Sequence, residues 1–136
     1  MRDTELKQQM GRCLYETYKA ARQERSFSSL RDAAAFVCRQ GARCWFISAE
    51  EANVRIGMIL QRRSLLDLGQ EKRRKIWAIY ERFREYMSLH PGTDEPRLYI
   101  LERIVDSPAP EFFLSPERTR KILSAERFRE RRERRW

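Results

Sequence analysis

Ala42-Arg43-Cys44-Trp45-Phe46-Ile47-Ser48 is written twice in this chain. Sixty-seven residues on, Ala109-Pro110-Glu111-Phe112-Phe113-Leu114-Ser115 repeats it, with Ala, Phe and Ser identical and Trp45 and Ile47 answered by Phe112 and Leu114. The match extends forward to Glu50 and Glu117, and back to Ala34, Val37 and Cys38, which align with Leu101, Ile104 and Val105. A repeat of this kind sets the architecture before any single element does. Each copy reads as helix, sharp turn, short strand, helix. Trp45-Phe46-Ile47 and Phe112-Phe113-Leu114 have the aromatic and β-branched content of a half-buried strand, and a strand so short needs a partner. The expected fold is therefore mainly α: about six helices around a minimal two-stranded β-ribbon, an internal helix–strand–helix repeat related by a pseudo-two-fold axis. Whether the two strands pair within one chain or across a homodimer is left open by the residues.

Helix boundaries are written in capping residues. Ser48 with Glu51 forms a capping box, and Ser115 is followed by Pro116 at the first helical position, where the missing N–H costs nothing. Ser29 and Asp32 begin an earlier helix through Leu30, Ala33, Ala34, Val37 and Cys38, and Gly41 is expected to end it in a left-handed turn. Leu6, Met10, Leu14, Tyr18 and Ala21 fall on one stripe of a helix over 4–25. Lys7, Arg12, Lys19, Arg22 and Arg25 lie around that stripe and read as its solvated surface, with a basic contact face as the alternative. The longest helical pattern, 70–90, carries Ile76, Ile79, Tyr80, Phe83 and Met87. Pro91-Gly92-Thr93-Asp94-Glu95-Pro96 is the clearest loop. One domain over 1–136 follows: the N-terminal helix 4–25, copy one 29–63, the long helix 70–90, copy two 97–124 and a basic helix end 125–136.

Charge and chemistry narrow the function. The net charge is +9, from 29 Lys and Arg against 20 Asp and Glu. Arginine predominates, and its planar fork matches phosphate and stacks on bases. Lys72-Arg73-Arg74-Lys75 crowd the positive end of the long helix, an unfavourable placement that hints at a bound anion. Three cysteines (Cys13, Cys38, Cys44) without C-x-x-C spacing fit neither a disulfide framework nor a zinc site, and imply a reducing, cytoplasmic setting. Neither a signal segment nor a membrane span is expected. The five glycines form no phosphate-cradling loop, and His90, the only histidine, reads as a capping or surface residue. No cofactor, no metal and no catalytic set are expected.

What remains is binding. Polyanion attraction by counterion release points to nucleic acid, RNA or DNA, with RNA slightly favoured since arginine with interleaved aromatics suits structured or single-stranded RNA. The candidate phosphate contacts are Arg62, Arg63, Lys72, Arg73, Arg74, Lys75, Arg131, Arg132, Arg134 and Arg135, with Phe128 and Trp136 as aromatic company. A larger enzyme or ribonucleoprotein is the expected partner, and a homodimer is compatible. A protein-binding scaffold and a DNA-binding regulator are the alternatives. The helix–glycine turn–strand–helix order of 30–62 resembles the middle of the Mor-type transcription activators of transposable phages. The resemblance implies a strand that pairs across a dimer, a helix-turn-helix after it, and an origin in a phage or mobile element. Here the stretch after Gly69 reads as one long helix.

Overall fold

A computed structural model describes residues 3–135. It contains six helices: α1 (Asp3–Glu24), α2 (Leu30–Val37), α3 (Ala49–Leu60), α4 (Gln70–Leu89), α5 (Arg97–Val105) and α6 (Pro116–Arg134). The first three begin 67 residues before the last three (3 and 70, 30 and 97, 49 and 116), so the whole chain is duplicated and not only its centre. The N-terminal and long helices, which look unrelated in sequence, are the same element twice. Their buried faces follow a shorter spacing, however: Leu14 answers to Ile79 and Tyr18 to Phe83, 65 residues apart. The second connection, 90–96, is two residues longer than the first, 25–29, and absorbs the difference.

The halves are intertwined. α2 packs on α6 of the other half and α5 on α3, while α1 lies along α6 and α4 along α3. At the centre the two quoted stretches meet. Ala42 and Ala109 form an antiparallel bridge, each N–H donating to the other's carbonyl at 3.0 Å. Trp45 N–H donates to Val105 O at 3.1 Å, and its counterpart Phe112 N–H donates to Cys38 O at 3.3 Å. The rings pair with the same symmetry, Trp45 on Phe113 at 5.5 Å and Phe46 on Phe112 at 6.3 Å, both stacked. The pseudo-two-fold relation is thus present in backbone and side chains alike.

The expected two-stranded ribbon is not. Among the described residues the Ala42–Ala109 bridge is the whole of the β structure. The reason is Phe46 and Phe113, which take φ of 52° and 56°. A left-handed residue curls the chain out of extended geometry, and for a non-glycine residue this costs roughly 1–2 kcal/mol. Burial of both rings in the core repays it. The turn was expected one step earlier, at Gly41, but Gly41 does not take positive φ; the only glycine that does is Gly92. Gly41 lies beside the bridge instead, where an added Cβ would stand 3.7 Å from Ala109 O.

Those dihedrals make a specific prediction. Any truncation at Phe46 loses a buried ring and destabilises the fold, but Phe46→Gly should be more stable than Phe46→Ala by about 1 kcal/mol. In a strand the order is the reverse. Urea denaturation of the two variants decides it, and alanine equal to or better than glycine would rule out a left-handed requirement at this position.

The three serine caps form as expected. Ser29, Ser48 and Ser115 accept from the backbone N–H of Asp32, Glu51 and Arg118 at 3.0, 3.1 and 3.1 Å. The capping box at Ser48 is only half made, because the Glu51 carboxylate reaches Lys72 at 2.5 Å. No helix among the described residues is long and apolar enough to cross a membrane. One hydrophobic cluster, with Trp45, Leu14, Ile56, Ile76, Ile100, Leu101 and Leu123 among its most buried members, runs through both halves.

Candidate nucleic-acid interface

The ten cations singled out in the sequence fall into three places. Arg62 and Arg63 close α3. Arg62 takes φ 59°, its N–H donates to Ile59 O at 2.9 Å, and Arg63 N–H donates to Met58 O at 2.8 Å. This is the Schellman termination, with arginine in the position that glycine usually fills. The backbone of Arg62 is therefore structural, while both side chains are exposed.

The cationic run opening α4 is mostly turned to internal use. Lys72 pairs with Glu51. Arg74 pairs with Glu71 and reaches Glu111 at 2.9 Å, and Glu111 also binds Arg39 at 3.1 Å. These carboxylates hold the Arg74 guanidinium above its ordinary pKa. Lys75 donates to the carbonyl of the left-handed Phe46 at 3.3 Å; burial first, and Lys72 second, bring its ammonium down to about 8. Neighbouring acids and a carbonyl thus offset the dipole cost that hinted at a bound anion. Of the four, the Arg73 side chain alone makes neither an ion pair nor a hydrogen bond with a described residue.

Lys72 and Lys75 also line a cavity of about 700 Å³ among the first turns of α1, α4 and α6 and the Phe46–Ile47 and Phe113–Leu114 turns. Lys7 and Arg118 face it too, but so do Asp3, Glu51 and Glu71, leaving its charge nearly balanced.

The third group lies along the end of α6. Arg134 pairs with Glu130 at 3.3 Å, whereas Arg131, Arg132 and Arg135 are exposed and make no ion pair with a described residue. Phe128 is 63% exposed and shares a hollow with Arg129 and Arg132. Trp136 lies outside the described residues. Neither the cavity lined by Lys72 and Lys75 nor the hollow beside Phe128 contains members of two of the three groups.

Two features escaped the sequence. Trp77 is 47% exposed on α4, one turn after Arg73 and edge-on to Tyr80 at 5.6 Å, and it lines a shallow hollow with Arg73. The signal was available as Arg73-x-x-x-Trp77, a pair on one helix face. The second is a basic hollow of about 410 Å³ where Arg22 and Arg25, at the end of α1, meet Arg127 of α6. Arginines a hundred residues apart leave no local trace, and the basic face of the first helix reads as ordinary surface.

His90 caps α4, exposed and stacked on Tyr86 at 4.1 Å. The cysteines are free, with Cys38 buried on its apolar face. Among the described residues no three His, Cys, Asp or Glu side chains gather as a metal site would require.

The chain matches no known protein family, no characterised protein and no solved structure. The resemblance to the Mor-type activators thus gains no support from a family match, and after Gly69 the chain forms the long α4. Function must therefore be argued from the surface.

Proposed function

We propose that this protein binds nucleic acid through its phosphate backbone and exposed base faces, without catalysis, as a cytoplasmic accessory subunit beside a larger enzyme or ribonucleoprotein of a phage or mobile element. The observation that carries this reading is the pairing of exposed aromatics with arginines that make no ion pair with a described residue: Arg73 with Trp77, and Arg132 with Phe128, although Glu111 and Glu133 share the respective hollows. An aromatic face beside a free guanidinium is what unpaired bases stack on while their phosphates are neutralised. Single-stranded RNA is favoured over duplex DNA, because the exposed aromatics suit unpaired bases, while the central aromatics that a groove-reading ribbon would carry are buried and stacked on one another. Arg131 and Arg135 extend the contact along α6.

Fluorescence anisotropy with a labelled single-stranded RNA tests the proposal. Affinity should fall steeply between 50 and 300 mM salt, with a log–log slope of about −0.7 for each phosphate contacted. Arg73→Gln with Arg132→Gln should weaken binding and flatten that slope. A slope near zero in the wild type refutes the reading. In that case Leu60 and Leu66, exposed where α3 ends, favour the alternative of a protein-binding scaffold. Tighter binding to one duplex sequence would instead favour a DNA-binding regulator.

A further inference from the structure

The hollow between the end of α1, the connection to α2 and the middle of α6 is lined by Tyr18, Arg22, Arg25, Ser26, Phe27, Ser29, Leu30 and Arg127: three guanidiniums, three hydroxyls and no acid. We infer that it is an oxyanion site, built to hold a phosphate group. The inference rests on the reading above for the polymer that supplies the phosphate, and on the hollow's own chemistry for the phosphate itself.

Several independent features converge there. The arginines are positioned by aromatic faces in place of carboxylates. Arg22 lies over the Tyr18 ring at 4.8 Å, and Arg25 over Phe36 at 4.2 Å and Phe27 at 5.3 Å. Rings fix the direction of a guanidinium without neutralising its charge, and Arg22 gives one N–H to the Tyr18 hydroxyl at 3.5 Å. Two acids nearby are committed elsewhere. Glu130, one turn beyond Arg127, accepts from Tyr15 at 3.2 Å and Lys19 at 3.1 Å and pairs with Arg134. Asp32 accepts from the N–H and hydroxyl of Ser28 at 3.3 and 3.4 Å.

The walls are also fixed with respect to each other. α1 and α6 run side by side, close enough at Gly11 that an added Cβ would stand 2.8 Å from the Glu126 carboxylate, and the Tyr15–Lys19–Glu130 cluster ties them again one turn before the hollow. Like charges held together at a rigid seam repel, and an anion with several acceptor oxygens relieves that repulsion. Ser26 and Ser29 add hydroxyl donors of the kind phosphate oxygens use.

The test compares Arg22→Gln/Arg25→Gln/Arg127→Gln with a control that removes equal charge elsewhere, Arg12→Gln/Arg43→Gln/Lys121→Gln. Labelled single-stranded RNA and inorganic pyrophosphate are the probes. The hollow variant should lose about tenfold or more in RNA affinity, with a salt slope shallower by roughly 0.7 for each lost phosphate contact, and the control should lose far less. Pyrophosphate should raise the Tm of the wild type and of the control but not that of the hollow variant. Arg127→Gln alone, which disturbs no described aromatic contact, should show the same trends if the triple variant unfolds. Equal losses in both triples would mean that only net charge matters and would overturn the inference. RNA binding by the wild type that the hollow variant retains in full would also overturn it, while leaving the proposed function intact. Pyrophosphate stabilisation through the hollow without RNA binding would sink the proposed function and leave the oxyanion site standing, filled by a free phosphate compound.

Discussion

Replacing Trp45 by alanine will cost about 3–5 kcal/mol, as expected for a large aromatic removed from a packed core. The indole is 2% exposed, stacks on Phe113 and stands at the crossing of the two halves. Against a typical domain stability of about 5–15 kcal/mol, that loss brings the fold close to its limit. Phe112→Ala, at the symmetry-related position, should cost nearly as much. Trp45→Phe should lose less than half of what alanine loses. It keeps a ring where the second half already uses one, and it removes an indole N–H that is buried without an acceptor, a group worth about 1–3 kcal/mol when unsatisfied. Urea denaturation of the three variants measures this. If Trp45→Ala were nearly neutral, the stacked centre would not be what joins the halves.

Lys75→Met will stabilise the protein at neutral pH by about 1–2 kcal/mol, a fraction of the differential interaction implied by the lowered pKa and reduced by loss of the bond to Phe46 O. The Lys75 ammonium is held at about 8 in the fold against 10.5 in a free side chain. Below pH 8 both states carry the proton, and the fold bears the full burden of a buried charge. Between pH 8 and 10.5 the unfolded chain keeps a proton that the fold has shed, so wild-type stability rises with pH. The advantage of methionine is therefore complete below pH 8 and fades towards pH 10.5. Unfolding both proteins at pH 7, 8, 9 and 10 checks the sign; a gap that widens with pH would show that the ammonium is stabilised in place.

Much of the fold is legible in the residues because its signals are local. Ser29, Ser48, Ser115 and Pro116 mark helix starts through hydrogen bonds within one turn, and the 67-residue echo of Ala42 and Phe46 is visible at a single spacing. Two things are not legible, each for a physical reason. The kinship of α1 and α4 is hidden because the longer second connection shifts their buried faces to a spacing of 65, so one offset cannot match the helices and the turns together. The strand was misread because apolar side chains report burial and not φ. Trp-Phe-Ile is as buried as a strand core would be, yet Phe46 is left-handed.

The candidate surface divides along the same line. Positive charge can be counted in a sequence, but its availability depends on acids brought up from other elements. Glu51 and Glu111 engage Lys72 and Arg74, and burial draws in Lys75, while Arg22 and Arg25 find no acid lining their hollow. Cations expected to face outward are thus taken up within the fold, at a cost in the case of Lys75, and cations read as ordinary surface line a hollow without an acid.

The crossing of α2 onto α6 and of α5 onto α3 means that neither half owns its core. A polypeptide stopped between Ser64 and Gly69 would present an unfinished apolar face and would find its complement only in another molecule. The same connection gives the intact chain a route to strand-free domain swapping: two copies can trade second halves and rebuild every contact between them, making a dimer whose interfaces already exist in the monomer. A duplicated gene whose ancestor was a homodimer of halves would leave this topology behind.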